Sequence, residues 1–174
     1  VDAAGGVSVF DGRRGDLIWA KKNVHDGGAL ASSVHPSKNK FATTGQDGRL
    51  IIWNLLEPDT EKVIDIGTGW VENVSWSPDG NFIATSLSKT VNVYSASGEE
   101  VWRTSDHQST VSTIAWTNKG ELATACYGQV QFLEGVSGDL IQKLEWKGSL
   151  VSIALSSDSD IVACGSQDLS LIHI

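Results

Sequence analysis

The sequence predicts an all-β fold of repeated four-stranded antiparallel sheets, on three observations: a repeat of about 40 residues, short runs in which apolar residues mostly alternate, and glycine-bearing turns between the runs. A bulky apolar residue followed by Ala and then Thr or Cys recurs as Phe41-Ala42-Thr43, Ile83-Ala84-Thr85, Leu122-Ala123-Thr124 and Val162-Ala163-Cys164, at steps of 42, 39 and 40. Val34, Trp76, Trp116 and Leu155 each stand just ahead of a turn and are stepped by 42, 40 and 39. Phe10, Trp53, Tyr94 and Leu133 form a third register, stepped by 43, 41 and 39. Three registers sharing one period define a repeat.

Each repeat reads as a meander of strands a to d. Two strands, 7–10 and 17–21, make a partial unit over 1–22 as its c and d. The unit 23–65 places a at 29–34, b at 40–44, c at 49–54 and d at 61–66. In the units 66–105 and 106–146, the runs 71–76, 90–94 and 111–116 read as strands, and 147–174 supplies a, b and part of c. Glycine opens the outer strand at 15–19, 98–102 and 138–142. Pro78-Asp79-Gly80 and Gln46-Asp47-Gly48 suit tight turns, since Gly accepts positive φ and Asp bonds its own backbone. One such sheet cannot cover both its faces, so it must stack on its neighbours, and radial stacking makes a β-propeller.

Composition narrows the function. Thirteen basic against 21 acidic residues give a net charge of −8. Nucleic acid and anionic membrane are therefore unfavourable main partners, because both call for a basic field. No apolar run approaches the roughly 20 residues of a membrane-spanning helix. Two cysteines, Cys126 and Cys164, make no disulfide framework, so the expected compartment is intracellular, the cytoplasm ahead of the nucleus.

Over nearly its whole length the chain resembles the WD40-repeat family, most closely at 23–65. That copy has His25 before strand a, Thr43 in b, Asp47 in the b–c hairpin and Trp53 closing c. The resemblance implies a buried hydrogen-bond chain from Trp53 to Thr43 to His25 to Asp47. A buried indole N–H and imidazole need partners, and the hairpin aspartate fixes the tautomer. Thr44 is an adjacent alternative to Thr43, and Asn54 replaces the aspartate of the Trp-Asp pair. The 66–105 copy keeps Thr85, but has Gly67 near the histidine position, Ser88-Lys89 in the hairpin and Tyr94 for Trp. The 106–146 copy keeps His107 and Thr124, with Gly128 and Leu133 in place of Asp and Trp. The last copy keeps Asp168 and puts Cys164 at the threonine position. WD40 rings ordinarily have about seven blades, so about four blades are expected to form an open part of such a ring. A four-blade ring, closed by pairing the first c–d strands with the last a–b strands, is the alternative and leaves a strand c over. Residues 169–174 resemble translated adapter read-through and are expected to be non-native.

No metalloprotease, P-loop, Cys-x-x-Cys or serine-elbow motif occurs, and Gly67-Thr68-Gly69 lacks the third glycine of a dinucleotide loop. His25 and His107 lie 82 residues apart, two periods, and read as structural rather than as metal ligands or bases. His35, in a turn before Pro36, is expected to be solvated. Asp47 and Asp168 occupy equivalent hairpins and form no acid–base pair, and the two cysteines read as small buried hydrophobes. The sequon Asn73-Val74-Ser75 lies inside a strand and is expected to be unused.

Trp70 stands apart, because the equivalent positions hold Gly28, Thr110 and Ser149. The WD40 resemblance places it on a rim that commonly carries partner-binding side chains, where tryptophan is enriched among hot spots. The competing reading is a cap over the ends of the central strands. Gln46, Thr110 and Gln167 are further rim candidates. The expected function is a non-catalytic scaffold for protein or peptide partners, without cofactor or metal. The alternative is a propeller that binds a small ligand, or catalyses, in its central channel.

Overall fold

The computed structural model describes residues 1–167 in full and 171–173 as backbone; Asp168, 169–170 and 174 lie outside the described residues, and with them most of the segment expected to be non-native. Every regular element among the described residues is a strand, and no helix is long and apolar enough to cross a membrane.

A two-stranded antiparallel sheet of β1 (Val7–Phe10) and β2 (Leu17–Lys21) comes first. Two four-stranded meanders follow. One runs β3 (Ala29–Val34), β4 (Lys40–Gly45), β5 (Arg49–Asn54) and β6 (Lys62–Asp65). The next runs β7 (Val71–Trp76), β8 (Phe82–Leu87), β9 (Thr90–Ser95) and β10 (Glu100–Thr104). The third begins with β11 (Thr113–Trp116), two residues later than the apolar pattern suggests; ahead of it the Val111 N–H bonds the Ser88 carbonyl of the preceding sheet. β12 (Leu122–Leu133) pairs with β11 through 122–125 and with β13 (Leu140–Leu155) through 127–133. Residues 150–155 of β13 then pair with β14 (Val162–Ser166), which pairs with β15 (Leu171–His173). One long strand thus hands the chain from one sheet to the next.

The sheets stack face to face, and each apolar cluster is shared between neighbours. Leu50 and Ile52 of β5 pack with Val71, Val74, Trp76 and Ile83 of the next meander. Ile51 and Trp53, pointing the other way, pack with Val7 and Phe41, against which Val9 and Trp19 also lie. Val91, Val93 and Trp102 meet Trp116, Leu122 and Leu133, and Ala123, Val130 and Phe132 meet Leu150, Val162 and Cys164. Inner strands are consequently buried on both faces. This is why 50–53 form an unbroken apolar run instead of alternating, whereas β3 and β7 keep an interrupted burial pattern. Each fully buried Val, Leu or Ile contributes about 1.5–3 kcal/mol.

Polar ties reinforce the stacking at a spacing of about one repeat. The indole N–H of Trp19 donates to the Leu55 carbonyl (3.2 Å), that of Trp102 to Gly135 (2.9 Å) and that of Trp116 to Ser75 (3.1 Å). The Ser33 hydroxyl accepts the Trp76 backbone N–H at 3.0 Å. Asn73 is used in the same way: its amide donates to the Ser86 hydroxyl at 2.9 Å and lies 3.4 Å from the Ser112 carbonyl.

His35 departs from the sequence expectation. It is not solvated but buried, at 4% exposure. Its Nδ1 accepts the backbone N–H groups of Ser37 and Lys38, both at 3.0 Å, and its Nε2–H donates to the Gly80 carbonyl of the next sheet at 3.1 Å. The ring packs on Trp76, with centroids 4.6 Å apart. Turn residues look solvent-facing in a sequence because the partner that covers them is 45 positions away.

This geometry fits only the neutral ring, since a proton on Nδ1 would displace both backbone donors. Burial, helped by Lys38 and Lys40, holds the pKa below the ordinary histidine value despite the Gly80 bond and Asp79. The contribution is therefore complete above the unfolded value of about 6.5 and is lost as pH falls through the lower folded value. His107, also lowered by burial, acts in the same direction. Thermal melts at about pH 7.5 and about pH 5 should show the acid loss, and His35→Gln should be less stable at neutral pH yet lose less on acidification. Unchanged acid sensitivity in that variant would exclude His35 as a source.

Candidate functional site

Four side chains of the first meander meet between strands. His25 lies just before β3, Thr43 is in β4, Asp47 is in the β4–β5 turn and Trp53 is in β5. The Trp53 indole N–H donates to Thr43 Oγ1 at 2.9 Å, and Thr43 Oγ1 lies 2.9 Å from His25 Nε2. His25 Nδ1 is 3.0 Å from Asp47 Oδ1. An indole can only donate, so the direction is set from one end: Thr43 accepts from Trp53 and donates to Nε2, which leaves the proton on Nδ1 for Asp47. Thr44 takes no part; its buried hydroxyl has no hydrogen-bond partner among the described residues.

His25, Thr43 and Trp53 are each at most 1% exposed. Gly45 makes the close approach possible, since a Cβ there would fall 2.6 Å from the His25 ring. Asp47 also accepts the backbone N–H groups of Asp26 (3.1 Å) and Arg49 (3.3 Å). Burial alone would raise its pKa, but the bonds from His25, Asp26 and Arg49 outweigh that and hold the carboxyl below its usual range. Trp53 is covered by Phe41, stacked at 5.8 Å, by Trp19 at 5.7 Å and by the Lys21 ammonium 5.4 Å from its ring.

The later meanders keep parts of this chain. His107 Nε2 lies 2.8 Å from Thr124 Oγ1. Gly128 and Leu133 offer neither carboxylate nor indole, and His107 Nδ1 has no well-formed bond. Desolvation lowers the His107 pKa, offset in part by the Lys89 carbonyl. In the second meander Thr85 faces Asn92 across β8 and β9, and the Thr85 hydroxyl and the Asn92 amide are buried with no hydrogen-bond partner among the described residues. Asp168 is outside the described residues.

The rim candidates are dispersed. Trp70 sits between β6 and β7 at 57% exposure, directly before the fully buried Val71. Gln46 is half-buried; its backbone N–H bonds the Gly28 carbonyl and its side chain lies over Gly27. Thr110 and Gln167 are exposed on other loops. Two further exposed aromatics, Tyr127 at 58% and Trp146 at 40%, are not among the rim residues expected from the sequence. Their signal was a hairpin shortened around Gly128 and a Trp outside every repeat register. Among the described residues no group of three or more His, Cys, Asp or Glu could hold a metal ion.

Two family models match this chain: the WD domain, G-beta repeat, over residues 21–54, and the anaphase-promoting complex subunit 4 WD40 domain, over 74–158. The chain is a WD40-repeat protein. The bovine (Bos taurus) serine-threonine kinase receptor-associated protein is 27% identical over 169 residues, covering 95% of this chain and 47% of that protein. A p21-activated protein kinase-interacting protein 1-like from Danio rerio is 33% identical over 110 residues, covering 59% of this chain and 27% of that protein. A chain in the crystal structure of the mitotic checkpoint complex superposes with a TM-score of 0.87 over 97% of this chain and 54% of its own, at 16% identity, a likeness of fold alone. This WD40 chain thus spans about half the length of the bovine relative.

Thr43→Val should strand both the Trp53 N–H and His25 Nε2 and lower stability by about 1–3 kcal/mol in a denaturant melt. Thr85→Val, which removes a hydroxyl with no partner among the described residues, should leave the melting temperature unchanged or raise it. Equal losses in the two variants would refute the contrast between the meanders.

Proposed function

We propose that this WD40 protein is a non-catalytic scaffold that holds protein or peptide partners through its rim loops, with Trp70 as the principal contact and Gln46, Thr110 and Gln167 as further contacts on other loops. The observation that carries the reading is the exposure of Trp70 beside an anchored backbone. Val71 is 0% exposed, so the large ring stands on a fixed base and loses little freedom on binding. The neighbouring sheets contribute Gly28, Thr110 and Ser149 at the corresponding point, so the ring serves no need shared by every blade.

Relatives named for association with a kinase receptor, or for interaction with a protein kinase, are consistent with a protein as the partner class. A net charge of −8 favours a partner surface that is basic or of mixed charge over one that is uniformly acidic. The tetrad of His25, Thr43, Asp47 and Trp53 acts structurally in this reading: it fixes the hairpin beside Gln46.

Trp70→Ala should reduce capture of a cognate protein at least about tenfold in a pull-down, with no fall in melting temperature. If the variant instead unfolds, Trp70 is a cap over the central strands. If it folds and captures normally, the rim contact lies elsewhere.

A further inference from the structure

Strands β12 and β13, with Gln108 from the loop before β11, form a cleft of about 820 Å³ lined by Gln108, Tyr127, Gly128, Lys143, Glu145, Trp146 and Lys147. Its two aromatic walls come from separate places. Tyr127 is in β12 next to Gly128, and Trp146 is at the point where β13 passes from one sheet to the next.

The Tyr127 wall is built rather than loose. Its backbone N–H donates to the Ser109 hydroxyl at 2.9 Å, and its carbonyl accepts from the Gln108 side-chain amide at 2.6 Å. Gly128 has φ of +80°, and a Cβ on it would lie 2.6 Å from the Gln108 nitrogen and 3.4 Å from the Trp146 carbonyl. The turn, the Gln108 side chain and the Trp146 backbone therefore close on one another and leave both rings turned outward. An aromatic side chain on a fixed backbone has few rotatable bonds to lose on contact, which suits it to serve as a binding anchor.

Charge decides what enters. Lys143 pairs with Glu145 at 3.1 Å, while Lys147 has no acidic partner within 4 Å among the described residues. The cleft thus presents an unmatched cation on a chain whose net charge is −8.

We propose that this cleft docks an extended peptide segment of a protein partner that carries an aliphatic side chain beside a carboxylate. The aliphatic group lies between Tyr127 and Trp146, and the carboxylate pairs with Lys147. The proposal rests on the scaffold reading above but uses a different surface from Trp70.

The test titrates the full chain into fluorescein-labelled twelve-residue peptides in a Gly-Ser background, with central Glu-Leu-Glu, Lys-Leu-Lys or Glu-Ser-Glu, and follows anisotropy. The Glu-Leu-Glu peptide should bind at least about tenfold more tightly than either of the others. Lys147→Glu should reverse the preference between the first two. Tyr127→Ala should weaken binding about tenfold, and Trp146→Phe, which keeps an aromatic wall, should retain it. Trp70→Ala should leave all these titrations unchanged. Equal binding of the three peptides, a charge preference that survives Lys147→Glu, or displacement of the peptide by oligouridylate would each overturn the proposal. Failure here with Trp70-dependent capture intact removes this cleft alone, whereas loss of Trp70-dependent capture with the cleft still binding removes the rim contact.

Discussion

Burial of both faces of the inner strands is the constraint on which the rest of this structure depends. β5 sends Leu50 and Ile52 toward one neighbouring sheet and Ile51 and Trp53 toward the other. β8 divides in the same way, with Ile83 in one cluster and Ala84 in the next. A sheet with two apolar faces is stable only between two others, so the cores lie between sheets and successive meanders hold one another in place. The ties from Trp19, Trp102, Trp116 and His35 join elements about one repeat apart because that is where the next sheet lies.

Polar groups then distinguish sheets of nearly identical packing. In the first meander a donor-only indole sets the direction of a chain that ends on a carboxylate, and each member is satisfied. In the second, Thr85 and Asn92 occupy similarly buried positions with no hydrogen-bond partner among the described residues, and in the third the chain stops at His107. Shape and apolar area are shared by all three meanders, so the fold tolerates the loss. The cost of an unmade buried bond, about 1–3 kcal/mol, is small beside the several buried apolar side chains at each interface, each Val, Leu or Ile worth about 1.5–3 kcal/mol.

The repeat was readable because the period of 39–43 residues appears in three apolar registers at once, and most strands lie at the alternating runs. His25, Thr43, Asp47 and Trp53 were readable through a family resemblance and their places in the meander, and the structure brings the four within hydrogen-bonding distance. His35 departs from its expectation because a turn beside proline looks solvent-facing until the neighbouring turn covers it. Tyr127 and Trp146 went unnoticed because 18 residues of chain separate them. Neither lies on a repeat register, and only the handover within β13 puts them on one cleft.

The sequence alone determined the all-β class, the period, the order of strands within each meander and the residue types able to form a buried polar chain. These follow from local alternation, turn chemistry and repetition, each visible within a window of about ten residues or as a fixed step. Tertiary structure decided which face of each strand meets which neighbour, which threonine accepts the indole, that His35 is neutral and covered, and which aromatic side chains remain outside. Those outcomes depend on atoms that one sheet presents to the next, roughly one period away, and no local pattern records what stands across an interface.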